Sequence, residues 1–173
     1  MSAGGNRRVL RKLGGEALGG ASRVGLDGDA IAAVSRQIVE ASGSVQIAIV
    51  VGAGNICRGA NWSGSSIHRS DADAIGMAAT HVNALSLAFS IEAAGAAATV
   101  FGAGSPVPQV NRFNSRECRD RTASGLVIVL PAAAADSFFP TVSLPHKHIC
   151  HCPLFPKAHT EAQTKPSNKT PTP

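Results

Sequence analysis

The chain has no tyrosine, a single tryptophan and an aromatic fraction of 4%. That leaves too few large rings for an all-β sandwich and favours an interior of small side chains in sheet-and-helix layers. Charge of one sign is nowhere concentrated, since the formal net charge of +5 is spread along the sequence, and without a basic face no nucleic-acid partner is expected. No uninterrupted apolar run approaches the roughly 18 residues of a membrane span. The N-terminal MSAGGNRR lacks the hydrophobic region of a signal sequence, so a soluble protein with no membrane partner is expected. The four cysteines, Cys57, Cys118, Cys150 and Cys152, lack the spacing of a disulfide framework and suit a reducing, intracellular compartment. What remains, 173 residues of which 44% are hydrophobic, suffices for one domain with a real core and not for two.

The stretch that organises the chain is Val45 to Gly59, VQIAIVVGAGNICRG. Its apolar, β-branched first half reads as a strand buried on both faces, the kind found in parallel sheets. Gly52 and Gly54 then remove two β-carbons where the strand ends, so backbone N–H groups can lie against an anion, and Arg58 follows with a guanidinium that can fork onto phosphate oxygens. Two named motifs are excluded. A Walker A loop needs Lys and Ser or Thr after its second glycine, and Asn55, Ile56, Cys57 and Arg58 stand there; the dinucleotide fingerprint fails at Cys57, where helix packing wants Gly or Ala. A nicotinamide-dependent oxidoreductase built on this turn is therefore the weaker alternative. Taken by itself the turn also fits a tight αβ crossover with no ligand.

In chain order, Arg8–Leu13 reads as a strand running into Gly14-Gly15, with Lys12 able to aim its ammonium at whatever the glycines cradle, or to be an ordinary edge-strand charge. Gly19-Gly20 marks a loop. Asp27 is placed as the N-cap of a helix with the apolar stripe Ile31, Val34, Ile38, stopped at Ser42-Gly43. After a polar loop at 60–70 holding Trp62, the sequence predicts a long helix capped by Asp71 or Asp73, ending at Gly95, and buried along Ile75, Ala78, Val82, Leu85 and Phe89. A strand at Ala96–Phe101, a weak helix near Ser115–Thr122 and a strand at Leu126–Leu130 complete a β-α-β-α-β-α-β order, which implies a parallel sheet with right-handed crossovers. At Pro131 the composition changes, with every glycine before it and most prolines and histidines from it onward. The expected organisation is a nucleotide-binding domain over 1–130 and a Pro-rich, disordered tail over 131–173. Five potential ligands between His146 and Cys152 lack the paired spacing of a zinc site, and no metal site is expected.

RVLRKLGGEAL, VVGAGNICRGANWSGSS and DADAIGMAATHVNAL, in that order, resemble the bacterial and plastid uridylate kinases of the amino-acid kinase superfamily, whose motifs read close to KLSGEAL, GGGNIFRG and GDxMGMLATxxNAL. The resemblance covers residue 7 to about 130, and the NWSGSS loop looks most like the cyanobacterial and plastid branch. It implies a three-layer αβα sandwich with a mainly parallel sheet, phosphorylation of UMP to UDP by ATP with Mg2+, a homohexamer controlled by GTP and UTP, and a cytoplasmic or plastid stromal location. Carried over by position, Lys12, Leu13, Gly14 and Gly15 would meet the ATP phosphates with Gly54 and Arg58 close by. Lys12 and Arg58 would be catalytic, while Ala53 and Asp73 would face UMP. Gly14, Ala53 and Cys57 depart from the family's Ser, Gly and Phe. An acceptor loop resembling AGTGNPFFTTD is reduced to Ala133–Thr141, and the family's second half has no counterpart here. The resemblance therefore implies a chain truncated or frameshifted after about residue 130, with little or no activity of its own.

Overall fold

A computed structural model describes residues 7–57, 67–103 and 107–132. Five strands, β1 (Arg8–Leu13), β2 (Gln46–Val51), β3 (Ala98–Gly102), β4 (Val110–Arg112) and β5 (Val127–Pro131), form one sheet in the order β1-β2-β5-β3-β4. Every pairing is parallel. Three helices cover it: α1 (Gly28–Ser42), α2 (Arg69–Ala93) and α3 (Ser115–Ala123).

Period-two alternation along the central strands sorts the core into two layers. Ile47, Ile49, Val51, Val127 and Val129 face one side, where they meet Ile31 of α1 and Leu87 and Ile91 of α2. Ala48, Val50, Ile128 and Leu130 face the other with Leu10, Phe101 and Cys118 of α3. This is the three-layer αβα sandwich. Its topology explains the split: the chain steps one way across the sheet from β1 through β2 to β3 and β4, then turns back to insert β5. With crossovers of one hand, reversing direction moves the connecting helix to the opposite face.

Asp27 caps α1 as expected, its Oδ1 accepting from the Ala30 N–H at 2.9 Å. Asn114 caps α3 in the same way, accepting from the N–H groups of Arg116 and Glu117. At α2 the sequence expectation is corrected twice. The helix begins at Arg69 after His68, which makes no side-chain cap, so Asp71 lies in the first turn, where a carboxylate favours the helix dipole without capping, and Asp73 follows it. The buried residues are Ala72, Ala79, Thr80, Asn83, Ala84, Leu87, Ala88 and Ile91; of the expected face Leu85 packs partly buried against the core, whereas Ile75, Val82 and Phe89 are 40%, 46% and 52% exposed. α2 is apolar around most of its circumference, so periodicity has no polar face from which to choose. An 18-residue stretch within it has a mean hydropathy of 1.4, so by length and composition alone the helix is long and apolar enough to cross a membrane, although Thr80, His81, Asn83, Ser86 and Ser90 interrupt its apolar run. Here its Leu87–Ile91 side forms one layer of the sheet's core.

Strand β4 was not foreseen. It is three residues long, pairs with β3 at the edge, and has Val110 as its only buried residue. Pro131, placed at the start of the tail by composition, is the last residue of β5 and pairs with Val51. The rest of the proposed tail beyond Ala132, together with Trp62 and the NWSGSS loop, lies outside the described residues.

Candidate functional site

Parallel register sets Leu13 beside Val51, so β1 and β2 end level and their glycine turns leave the sheet side by side. The Gly52 N–H donates to the Leu13 carbonyl at 2.9 Å, extending the ladder by one bond past the strands. Beyond that bond the chain opens into Gly14-Gly15 on one side and Ala53-Gly54 on the other.

The two glycines of the first turn are there for different reasons. Gly14 sits at φ −68°, ψ 137°, an ordinary extended conformation, and a β-carbon on it would meet open space. Gly15 has no such room. A β-carbon there would collide with Asn55 Oδ1 and lie 2.7 Å from the Gly52 carbonyl oxygen and 2.9 Å from Asn83 Nδ2. Close approach of the two turns, not a left-handed φ, is what requires glycine at 15. The chain then enters a short 3-10 turn, Gly15–Leu18, anchored by the fully buried Leu18.

On the β2 side, Ala53 is buried and accepts from the N–H groups of Ile56 and Cys57 at 3.0 and 2.9 Å, which turns the backbone back on itself. Among the described residues the one non-glycine at positive φ is Arg23, so the Ala53 methyl group replaces the family's middle glycine without backbone strain. No described backbone hydrogen bond takes the N–H of Gly14 or of Ala53. Main-chain donors beside bare glycines at the carboxyl edge of a parallel sheet can hold an anion without any side chain.

Lys12 is exposed, one residue before Leu13, and by strand alternation stands on the Leu10 and α3 side of the sheet. It takes part in none of the ion pairs described, which join Arg23 to Glu16, Arg69 to Asp73 and Arg121 to Glu117. Of the residues nominated from sequence, the structure brings Lys12, Leu13, Gly14, Gly15, Ala53 and Gly54 to one edge. Asp73 lies on the exposed first turns of α2, where its carboxylate pairs with Arg69 at 3.3 Å, ten positions before Asn83 on the same helix. Arg58 lies outside the described residues, and among those described no cluster of His, Cys, Asp and Glu could hold a metal ion.

Two residues at the heart of the site were missed from sequence. Asn55 is 3% exposed and Asn83 is fully buried. Asn83 Nδ2 donates to the Gly52 carbonyl at 2.6 Å and to Asn55 Oδ1 at 2.7 Å, while Asn55 Nδ2 donates to the Gly25 carbonyl at 2.6 Å. A signal for Asn83 was present: it stands four and eight residues before Leu87 and Ile91, on the face of α2 that enters the core.

Layers, strand order and a pair of bare turns at the carboxyl edge define an α/β protein of the three-layer αβα class, with a candidate anion site between its first two strands. Comparison with known proteins then gives the family. Residues 7–138 match the amino acid kinase family. The chain is 40% identical over 135 residues to a uridylate kinase of Clavibacter michiganensis, covering 78% of this chain and 56% of that protein, and 38% identical over 136 residues to a uridylate kinase of Tropheryma whipplei, covering 79% and 58%. Among solved structures it resembles the UMP kinase of Ureaplasma parvum with a TM-score of 0.69 at 25% identity, over 75% of this chain and 57% of that one. The UMP kinase of Bacillus anthracis, at 22% identity and a TM-score of 0.66, shares the fold over 72% of this chain and 52% of its own. The chain belongs to the amino acid kinase family, and it spans about half the length of the curated relatives it matches.

Proposed function

We propose that this chain carries the phosphate-binding turns of a UMP kinase, an enzyme that moves the γ-phosphoryl group of ATP, supplied with its Mg2+, onto UMP. In that reaction an anionic phosphate oxygen of UMP forms the new bond to the γ-phosphorus, the bond to the β–γ bridging oxygen breaks, and UDP and ADP result. No proton must be removed from the nucleophile, so the protein's task is to align two polyanions and offset the charge between them. Leu13, Gly14 and Gly15 meet the ATP phosphates, with Gly54 and Arg58 beside them. Lys12 and Arg58 supply positive charge to the transferring group. Ala53 and Asp73 face UMP, where a carboxylate suits ribose hydroxyls better than phosphate. The observation that carries this reading is the Gly52 N–H to Leu13 bond, which sets the two glycine turns side by side one residue after Lys12.

The exposed apolar side chains on α2 favour a second reading, a catalytically silent chain that binds nucleotide weakly or joins full-length subunits. Association between copies would cover Ile75, Val82 and Phe89 on α2, a helix with no Asp, Glu, Lys or Arg between Asp73 and Glu92. Sedimentation checks this, with Phe89→Glu expected to dissociate the assembly and a monomeric parent protein contradicting it.

Thermal unfolding in the presence of UMP, ATP or NAD tests the nucleotide reading, because a ligand that binds the folded state alone raises the melting temperature. UMP and ATP should each raise it. A rise with NAD alone would instead support the oxidoreductase.

A further inference from the structure

The Asn55–Asn83 pair closes a ring of two amides. Each Nδ2 donates to the other's Oδ1, at 2.7 and 3.2 Å, and each uses its remaining proton on a glycine carbonyl, Gly25 for Asn55 and Gly52 for Asn83, both at 2.6 Å. Every proton of the pair is therefore used, which is the condition under which buried amides are tolerated and made rigid. Gly25 is bound twice over, since its N–H also donates to the Asn55 carbonyl at 2.8 Å. The ring lies directly against Gly15, whose missing β-carbon leaves the space that Asn55 Oδ1 and Asn83 Nδ2 occupy. One amide pair thus joins four separate segments: the β1 turn, the loop at Gly25, the β2 turn and the middle of α2.

We propose that Asn55 and Asn83 are positioning residues, which hold the two glycine turns in fixed relation so that their N–H groups present one binding edge to nucleotide phosphates. The inference rests on the nucleotide reading given above. Asn83 fixes the direction of the Gly52 peptide by holding its carbonyl toward α2, and the neighbouring N–H groups can then face away from the core. A helix residue thereby sets the geometry of a turn it does not belong to. An apolar side chain at 83 would fill the same space and leave the Gly52 carbonyl unpartnered and free to rotate.

The test uses the full 173-residue chain in four forms: parent, Asn83→Leu, Gly15→Ala and Leu87→Ala. Gly15→Ala pushes the β1 turn off the ring without removing a hydrogen-bonding group, and it stands in if Asn83→Leu does not fold. Leu87→Ala lowers stability from the same helix without touching the ring. Amide hydrogen exchange and the dissociation constants for UMP and ATP are measured on each. The proposal expects exchange at residues 13–15 and 52–55 to accelerate at least tenfold in the two ring variants and to hold in Leu87→Ala at comparable loss of stability. It also expects nucleotide affinity to fall about tenfold or more in the ring variants alone. Turn exchange unchanged in the ring variants, or affinity that falls equally in Leu87→Ala, overturns it. If the parent chain binds neither nucleotide, the nucleotide reading fails and the phosphate-positioning role with it, while accelerated exchange would still uphold the ring's hold on the turns.

Discussion

At residues 14 and 15 two adjacent glycines face opposite constraints, and substitutions there should have opposite signs. Gly14 has an extended backbone and open space, so Gly14→Ala should stabilise by about 0.4–1 kcal/mol through the unfolded chain. Gly15→Ala drives a methyl group into the amide ring and should cost about 1–3 kcal/mol, as overpacking does elsewhere. Denaturant melts of the two variants decide this, and equal effects would contradict the packing described. On the proposed assignment Lys12 and Arg58 each give phosphate a charge-assisted hydrogen bond, so Lys12→Ala and Arg58→Ala should each weaken ATP or UMP binding by roughly 1.5–3 kcal/mol. Titration calorimetry reads that loss, and unchanged affinity in both variants would refute the assignment. On the far side of the sheet, burial pushes the Cys118 thiol from its ordinary value of 9.0 up to about 11. The folded state holds that proton more tightly than the unfolded chain, so the thiol's contribution to stability is complete below about pH 9.0 and is lost as pH rises through about 11. Comparing the alkaline limb of the stability profile with that of Cys118→Val should show a shallower fall in the variant.

Among the elements, α2 carries the most and was the hardest to read. Leu87 is fully buried and Phe89 half exposed on the same helix. Leu87→Ala should therefore cost about 2–5 kcal/mol, whereas Phe89→Ser should change the stability of the monomer by less than about 1 kcal/mol. Reversed magnitudes would restore the face read from periodicity. The strands were legible because runs such as QIAIVV leave β-branched residues few alternatives to a sheet buried on both faces. The α1 cap at Asp27 followed from side-chain chemistry that acts locally, and the helix ends at Ser42, before Gly43, as expected. What escaped the sequence was non-local. The face of α2, the edge strand at Val110–Arg112 and the Asn55–Asn83 ring all depend on partners ten or more positions away. An asparagine inside an apolar helix is the kind of residue whose role appears only when its acceptor is known.

For the molecule as a whole, the candidate site is a product of strand order. Putting β1 and β2 side by side and in parallel makes two turns distant in sequence into one edge, and α2 then returns across it with Asn83. Residues 146–173 are rich in proline and carry no apolar stripe, so deleting them should leave the melting temperature unchanged within error, and a marked loss would show that they bury surface on the domain. The central claim, that the paired glycine turns form a nucleotide-phosphate edge, is tested most directly by amide NMR of the full chain titrated with UMP and then with ATP. Saturable shifts at Gly14, Gly15, Ala53 and Gly54 are the predicted result; saturation by either nucleotide with those four amides unmoved, or no response to either, would contradict it.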